Sequence, residues 1–435
     1  MAEPTAPTES IQRAYEKALR AFGHRAEVTG VDIGYKYSGG ERTDEITLRI
    51  HVREKIPLSL LPAAEVLPSE IDGVPIDVIQ GNYAPSTNGI PTLAARRHRR
   101  GTIQPGISIS HHLGTAGTIG ALVFDRGDGR ACILSNKHVL AEAVLAETGD
   151  QILQPGRIDG GRRDVDAIAR LRRTYLGVKG DAAIAVLNDT RQTDSRQYGT
   201  NAEISRMRRA AVGDKVTKSG RTTGVTEGDV DGVGRFKVIY GTQEWRIDGF
   251  KIRVGDRANP GNIEITSAGD SGAIWYDPDT AEGLGLHYAG EGDSAPTAEF
   301  SLACHLDAVL DELLVSLSPV AEEDFIVLPE PSPDPDPPPS PAPPAPAGPT
   351  LADLLGGAGA PEAPGDPPTG PTLADLLSAA GASEDTLGHL DRGDTCAAAL
   401  REHGLSVASG PDGVLEIVID PEKTRGKVRI TFEPD

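Results

Sequence analysis

The chain has 435 residues, more than one compact core accommodates, so two or three domains are expected. Its net charge of −21 is uneven: residues 321–435 hold 21 acidic and 6 basic residues, against 43 and 37 in the first 320. Such an acidic tail repels phosphates and excludes nucleic acid as a default partner.

Three cysteines, Cys132, Cys304 and Cys396, form neither a disulfide framework nor a pair at zinc-ligand spacing. No apolar run is long enough to span a bilayer, and the first residues lack the basic-then-apolar pattern of a signal peptide. The expectation is a cytoplasmic protein with no cofactor, no metal and no membrane association.

Residues 9–22 predict an amphipathic helix, with Ile11, Tyr15 and Leu19 four apart and Thr8 or Ser10 as the cap. Alternating runs at Val28–Tyr37, Glu45–Val52 and Val74–Ile79 complete a small α+β module over residues 1–81. Residues 82–102 read as a linker carrying the basic cluster Arg96, Arg97, His98, Arg99 and Arg100. That cluster is either a solvated surface segment or a processing site.

From residue 103 to 320 short apolar runs alternate with Gly- and Asp-rich turns, the pattern of a mainly β barrel or sandwich. The segment closes on an amphipathic helix at 307–317. Residues 321–383 form a Pro/Ala/Asp-rich linker, since 17 of the 34 prolines fall between 329 and 371. The octapeptide GPTLADLL occurs at Gly348–Leu355 and again at Gly370–Leu377. It is either a duplicated piece of linker or a docking motif for a partner. Residues 384–435 predict a small α+β unit: weak helix at 394–403, then a hairpin of Gly413–Ile419 with Gly426–Phe432.

Three motifs carry chemistry. Gly269-Asp270-Ser271-Gly272 presents a hydroxyl on a tight turn, and the backbone N–H groups of Gly269 and Ser271 make a candidate oxyanion hole. His138 follows the apolar strand ending Leu134-Ser135 and opens the run Val139-Leu140-Ala141, which suits a general base at a strand end. Asp181 precedes the strand Ala182–Leu187, where a carboxylate can fix the tautomer of that imidazole. Asp164 and Asp166 are rivals on pattern alone. His111-His112 tempts a metal reading, but neighbours on a strand point to opposite faces, so shared ligation is not expected.

The order His, Asp, Ser, with separations of 43 and 90 residues, resembles the chymotrypsin-like serine proteases. The runs LSNKHVLA, QPG with DGG, DAAIA, KSGRTTG and AGDSGAIW look like one bacterial group of trypsin-like peptidases, related to the plant narrow-leaf protein. The resemblance covers about residues 103–317. It implies a chymotrypsin-like double antiparallel β-barrel, a serine endopeptidase acting on a protein or peptide substrate, and Asp181 rather than Asp166 as the acid. It places Ile265, Tyr288 and Gly290 at the substrate pocket, with Ile265 at its base and an apolar preference. Asp270, which in many relatives pairs with a cleaved N-terminus, is expected to pair with an arginine, Arg221 being one candidate. The competing expectation is a catalytically latent scaffold that recruits partners through the LADLL repeats and the C-terminal unit.

Overall fold

The computed structural model describes residues 8–39, 41–62, 65–84, 94–141, 146–241, 243–254, 265–291, 300–327, 405–409 and 415–419. The chain divides into two units, Met1–Pro335 and Asp336–Asp435. The GPTLADLL repeats, Cys396, the helix expected at 394–403 and the strand expected at 426–432 lie outside the described residues.

The first unit opens with helix α1 (Glu9–Phe22), capped by the Thr8 hydroxyl on the Ile11 amide. Ala14 and Ala18 give it a flat face, which packs on Val31, Leu48 and Ile50. Strands β1 (Val28–Ser38) and β2 (Glu41–Val52) form an antiparallel hairpin. After β3 (Glu70–Ile71) comes β4 (Val74–Gln80), parallel to β2.

Of the stretch expected to be a linker, residues 82–84 and 94–102 are described. They contain strand β5 (Tyr83–Ala84) and helix α2 (Ala94–Arg97). Arg96 is 4% exposed, bonded to the carbonyls of Gly106 and Tyr198 and to the Ser219 hydroxyl. Arg99 pairs with Asp166, and Arg100 lies over the Tyr198 ring. The cluster is divided: His98 and Arg99 are exposed, as a solvated segment would have them, whereas Arg96 acts as a buried clamp.

After β6 (Thr102–Ile103), the first barrel uses β7 (Ser108–His111), β8 (Gly117–Thr118), β9 (Ala121–Asp125) and β10 (Ala131–Ser135), followed by the one-turn helix α3 (Lys137–Leu140). Strands β11 (Gln151–Leu153), β12 (Ala167–Gly177) and β13 (Gly180–Leu187) complete it, in the order β9-β10-β13-β12-β11-β7-β8. The Gly120 amide, just past β8, bonds the Leu134 carbonyl on β10 and closes the ring. Its core is aliphatic, including Ile107, Ile109, Ile133, Ile152, Ile168 and Leu171.

Beyond β14 (Gln192–Thr193) lies the second barrel. It is a closed ring of six strands: β15 (Lys215–Gly220), β16 (Gly224–Tyr240), β17 (Gln243–Val254), β18 (Ile274–Tyr276), β19 (Gly283–Glu291) and β20 (Phe300–His305). Strand β15 closes the ring by pairing with both β16 and β18. Together the two curled sheets make a mainly β, chymotrypsin-like double barrel. Helix α4 (Leu306–Glu312) and β21 (Val315–Ser316) then return to β9.

Strand β16 is much longer than the expected run at 236–240. Its first half pairs with β15, and residues 232–236 pair with β1. The N-terminal strands thus continue the sheet of the second barrel. At this seam Arg49, Asp32, His51 and Asp231 form a fully buried polar network, with Arg49 bonded to both carboxylates.

The second unit contains a hairpin of β22 (Leu405–Ser409) and β23 (Leu415–Ile419). Residues 415–419 are a strand as expected, but their partner is 405–409, the nearer segment in sequence.

Candidate active site

Strand β10 ends at Ser135, and α3 starts two residues later, so His138 sits at a strand end against the first residues of β13. Its Nδ1 lies 2.5 Å from Asp181 Oδ2, and its backbone N–H donates to Oδ1 of the same carboxylate at 3.3 Å. The Asn136 side chain donates to the Asp181 carbonyl at 2.7 Å. The carboxylate is 1% exposed and the imidazole 23%. Burial alone would raise the Asp181 pKa, but the adjacent His138, the Tyr240 hydroxyl and the His138 amide outweigh it and hold the group below the usual carboxylate value.

Asp166, the rival acid, is engaged elsewhere: it accepts from Arg99 and Arg191.

Ser271 comes from the second barrel, on the turn between Ile265 and β18. The turn is fastened to the first barrel. The Thr118 amide donates to the Ser271 carbonyl at 2.8 Å, and the Thr118 hydroxyl donates to the Gly269 carbonyl at 2.7 Å. A methyl group on Gly117 would lie 2.4 Å from Val139 and 3.0 Å from the Ser271 carbonyl oxygen, so the residue after His138 and the Ser271 backbone share one contact. Gly272, at φ 92°, leaves no room for a side chain, because a methyl there would stand 2.1 Å from Ser135 Oγ. The structure thus brings His138, Asp181 and the Ser271 turn to the junction of the barrels.

Gly269 also has a left-handed backbone, φ 95°. Among the described residues, the amides of Gly269 and Ser271 donate to no protein acceptor, whereas those of Asp270, Gly272 and Ala273 are all engaged. Two unengaged N–H groups on one turn, beside a hydroxyl, are what anionic oxygen requires.

Asp270 is held by Lys218, a correction to the expectation of an arginine. Lys218 Nζ is 3.4 Å from Asp270 Oδ2, and both side chains are fully buried. The amides of Thr222, Thr223 and Ser267 and the Thr223 hydroxyl also donate to this carboxylate. Burial would raise its pKa, but Lys218 and these donors lower it. Arg221 instead makes a two-pronged pair with Asp159 of the first barrel, at 2.7 and 2.5 Å.

Ile265 is 2% exposed and packs in the core of the second barrel with Val216, Phe250 and Trp275. Tyr288 is fully buried in the larger core shared with Phe236 and Leu286. Gly290 lies on β19 opposite Ala84 of β5.

Sequence reasoning missed Tyr240. It ends β16, stacks near His138 with ring centroids 5.5 Å apart, and brings a hydroxyl with no hydrogen bond of good geometry beside Asp181. It also missed His287, fully buried on β19, with Nδ1 bonded to Ser301 and Leu302 and Nε2 unpartnered. Burial lowers its pKa to about 4, although Asp270 pulls the other way.

His111 and His112 do not point apart as expected. β7 ends at His111, and the two rings stand 4.3 Å apart, near Asp150. His111 Nδ1 accepts the Leu113 N–H at 3.2 Å, so its Nε2 carries the proton given to Asp150 at 3.0 Å. That tautomer leaves His111 no lone pair for a metal.

Fold and site together define a mainly β double-barrel protein in which a buried carboxylate holds an imidazole at the junction that also carries the Ser271 turn. No protein-family model matches the chain, and no curated protein does. Among solved structures it is similar to Thermobifida fusca protease A, at 16% identity over 50% of this chain and 100% of that one, with a TM-score of 0.38. It is similar also to Nocardiopsis protease (17%, 49% and 98%, TM-score 0.36) and Cellulomonas bogoriensis chymotrypsin (16%, 50% and 100%, TM-score 0.35). Likeness at this level assigns no activity, so the functional reading rests on the geometry.

Proposed function

We propose that this chain is a serine endopeptidase that hydrolyses peptide bonds of a protein substrate through an acyl-enzyme. The observation that carries the reading is the His138 Nδ1 contact to a buried Asp181, placed beside a Ser271 turn with two unengaged amides. In this reading His138 Nε2 takes the Ser271 Oγ proton as the hydroxyl attacks the scissile carbonyl. Asp181 keeps the Nδ1–H tautomer and balances the imidazolium. The Gly269 and Ser271 amides receive the oxyanion. His138 then returns the proton to the leaving amine, and water repeats the sequence on the acyl group. The family resemblance to the bacterial group related to the narrow-leaf protein, and a cytoplasmic location, are parts of the same proposal.

The test is labelling with a fluorophosphonate. Ser271 in the folded wild type should become covalently modified, and Ser271→Ala should not label. Absence of labelling in folded protein removes the reading. The competing reading, a latent protease-like scaffold, is not favoured, and the Ser271→Ala variant separates the two. A scaffold keeps its biological effect in Ser271→Ala, whereas an enzyme loses it.

A further inference from the structure

Strand β19 has two edges. One pairs with β20 from Gly285 to Gly290. The other is taken first by β18, up to Leu286. Next comes the Ser271 turn: the Gly272 amide donates to the His287 carbonyl and the His287 amide to the Ala273 carbonyl, both at 2.9 Å. Beyond the turn, β5 takes the edge, with Ala84 opposite Gly290 and Tyr83 opposite Glu291.

We infer that β5 is a built-in competitor for substrate at this edge. The inference rests on the hydrolase reading of Ser271. Among the described residues, a peptide whose carbonyl is to reach the Gly269 and Ser271 amides in extended form has one stretch of strand edge to pair with, the part of β19 that leaves the turn. Gly290 is three residues past His287, about 10 Å at the usual rise per residue. That is the reach of the residues just before a scissile bond. Because β5 runs antiparallel to β19, its chain at Ala84 heads toward the Ser271 turn, the direction such a peptide would take.

The competitor is well anchored. Tyr83 is 3% exposed, its hydroxyl lies 2.7 Å from His51 Nδ1, and its ring meets His51 and Phe236 edge-on. The Gly81 amide bonds the Val52 carbonyl, and the Thr29 hydroxyl bonds the Gly81 carbonyl. A strand tethered in this way acts at an effective concentration in the millimolar range, against which a free peptide competes poorly. A small reagent that needs the hydroxyl but not the edge meets no such competition.

The experiment compares two readouts on the full chain: fluorophosphonate labelling of Ser271, which does not use the β19 edge, and digestion of casein, which does. Tyr83→Ala, checked for folding by its melting transition, should digest casein about tenfold faster than wild type while labelling stays within about twofold. Equal digestion rates with normal labelling overturn the competitor and leave the hydrolase reading standing. A rise in both together also overturns it, since that reports a change at Ser271 itself. Failure of wild type to label overturns the hydrolase reading, and the competitor with it. If Tyr83→Ala does not fold, Tyr83→Phe removes only the hydroxyl on His51. It should speed casein digestion about threefold, and no change overturns the inference.

Discussion

Lys218 and Asp270 form an ion pair with both side chains fully buried, immediately behind the residue that offers its hydroxyl. Lys218 also donates to the Thr223 hydroxyl and the Gly224 carbonyl, so the ammonium is satisfied on three sides. Asp270 lies between the two residues whose amides are unengaged, and its position sets theirs.

Removing the ammonium leaves a buried carboxylate without its countercharge. Lys218→Met should destabilise the protein by about 3 kcal/mol or more, the usual cost of breaking one side of a buried pair. The loss should appear as a lower denaturant midpoint. Because Asp270 anchors the turn, Ser271 labelling by fluorophosphonate should also slow in the folded variant. A Lys218→Met protein with wild-type stability would mean that the Thr222, Thr223 and Ser267 donors suffice alone.

Asp181→Asn tests the tautomer argument. An amide at this position can present its NH₂ to Nδ1 and turn the imidazole proton to the other nitrogen, removing the lone pair that faces the hydroxyl. Turnover should fall about 10⁴-fold with the fold intact. The expected record is a normal far-ultraviolet spectrum, a melting temperature within a few degrees of wild type, and peptide hydrolysis near the detection limit. Activity within tenfold of wild type would show that His138 does not need this carboxylate.

These two residues differ in how readable they were. His138 and Asp181 sit at ends of short apolar strands, and local pattern fixes a strand end, so both could be read from a few neighbours. The partner of Asp270 could not, because it is set by which strand crosses behind the turn. Lys218 carries a clue in retrospect: it alternates with Val216 on β15 and so faces the core, where a charge needs a partner. Tyr83–Ala84 is a two-residue strand with no periodicity to detect. The length of β16 was hidden by its glycines, which look like turns, although here they let Asp32, Arg49 and the β1 backbone approach closely at Gly232 and Gly234.

We predict that Tyr240 is a positioning residue, acting through Asp181. Its hydroxyl makes no hydrogen bond of good geometry, but its dipole beside Asp181 favours the ionised carboxylate. Tyr240→Phe keeps the ring beside His138 and removes that oxygen. Asp181 then becomes the more basic partner, so the acidic limb of the kcat/KM profile should move upward by about half a pH unit. A loss of activity at every pH with no displacement of the limb would assign Tyr240 a packing role only.

Acid sensitivity should begin well above the carboxylate range. His287 and His305 are both held near pKa 4, chiefly by burial. In the unfolded chain a histidine titrates near 6.5. The folded pKa is the lower one, so the unfolded state binds protons first as pH falls. The stabilisation from keeping these rings neutral is complete above about pH 6.5 and is lost progressively toward pH 4. Asp181 and Asp270 contribute stability above the unfolded carboxylate range, and theirs is lost only at lower pH. Urea midpoints should therefore fall from pH 6.5 to 4 in wild type. In His305→Gln, whose site keeps a buried polar side chain without the titration, the fall over that window should be shallower. His287 cannot be separated from the turn so simply, because its backbone amide and carbonyl hold Ala273 and Gly272. A flat profile from pH 6.5 to 4.5 would mean that these two imidazoles take up protons without unfolding the barrel.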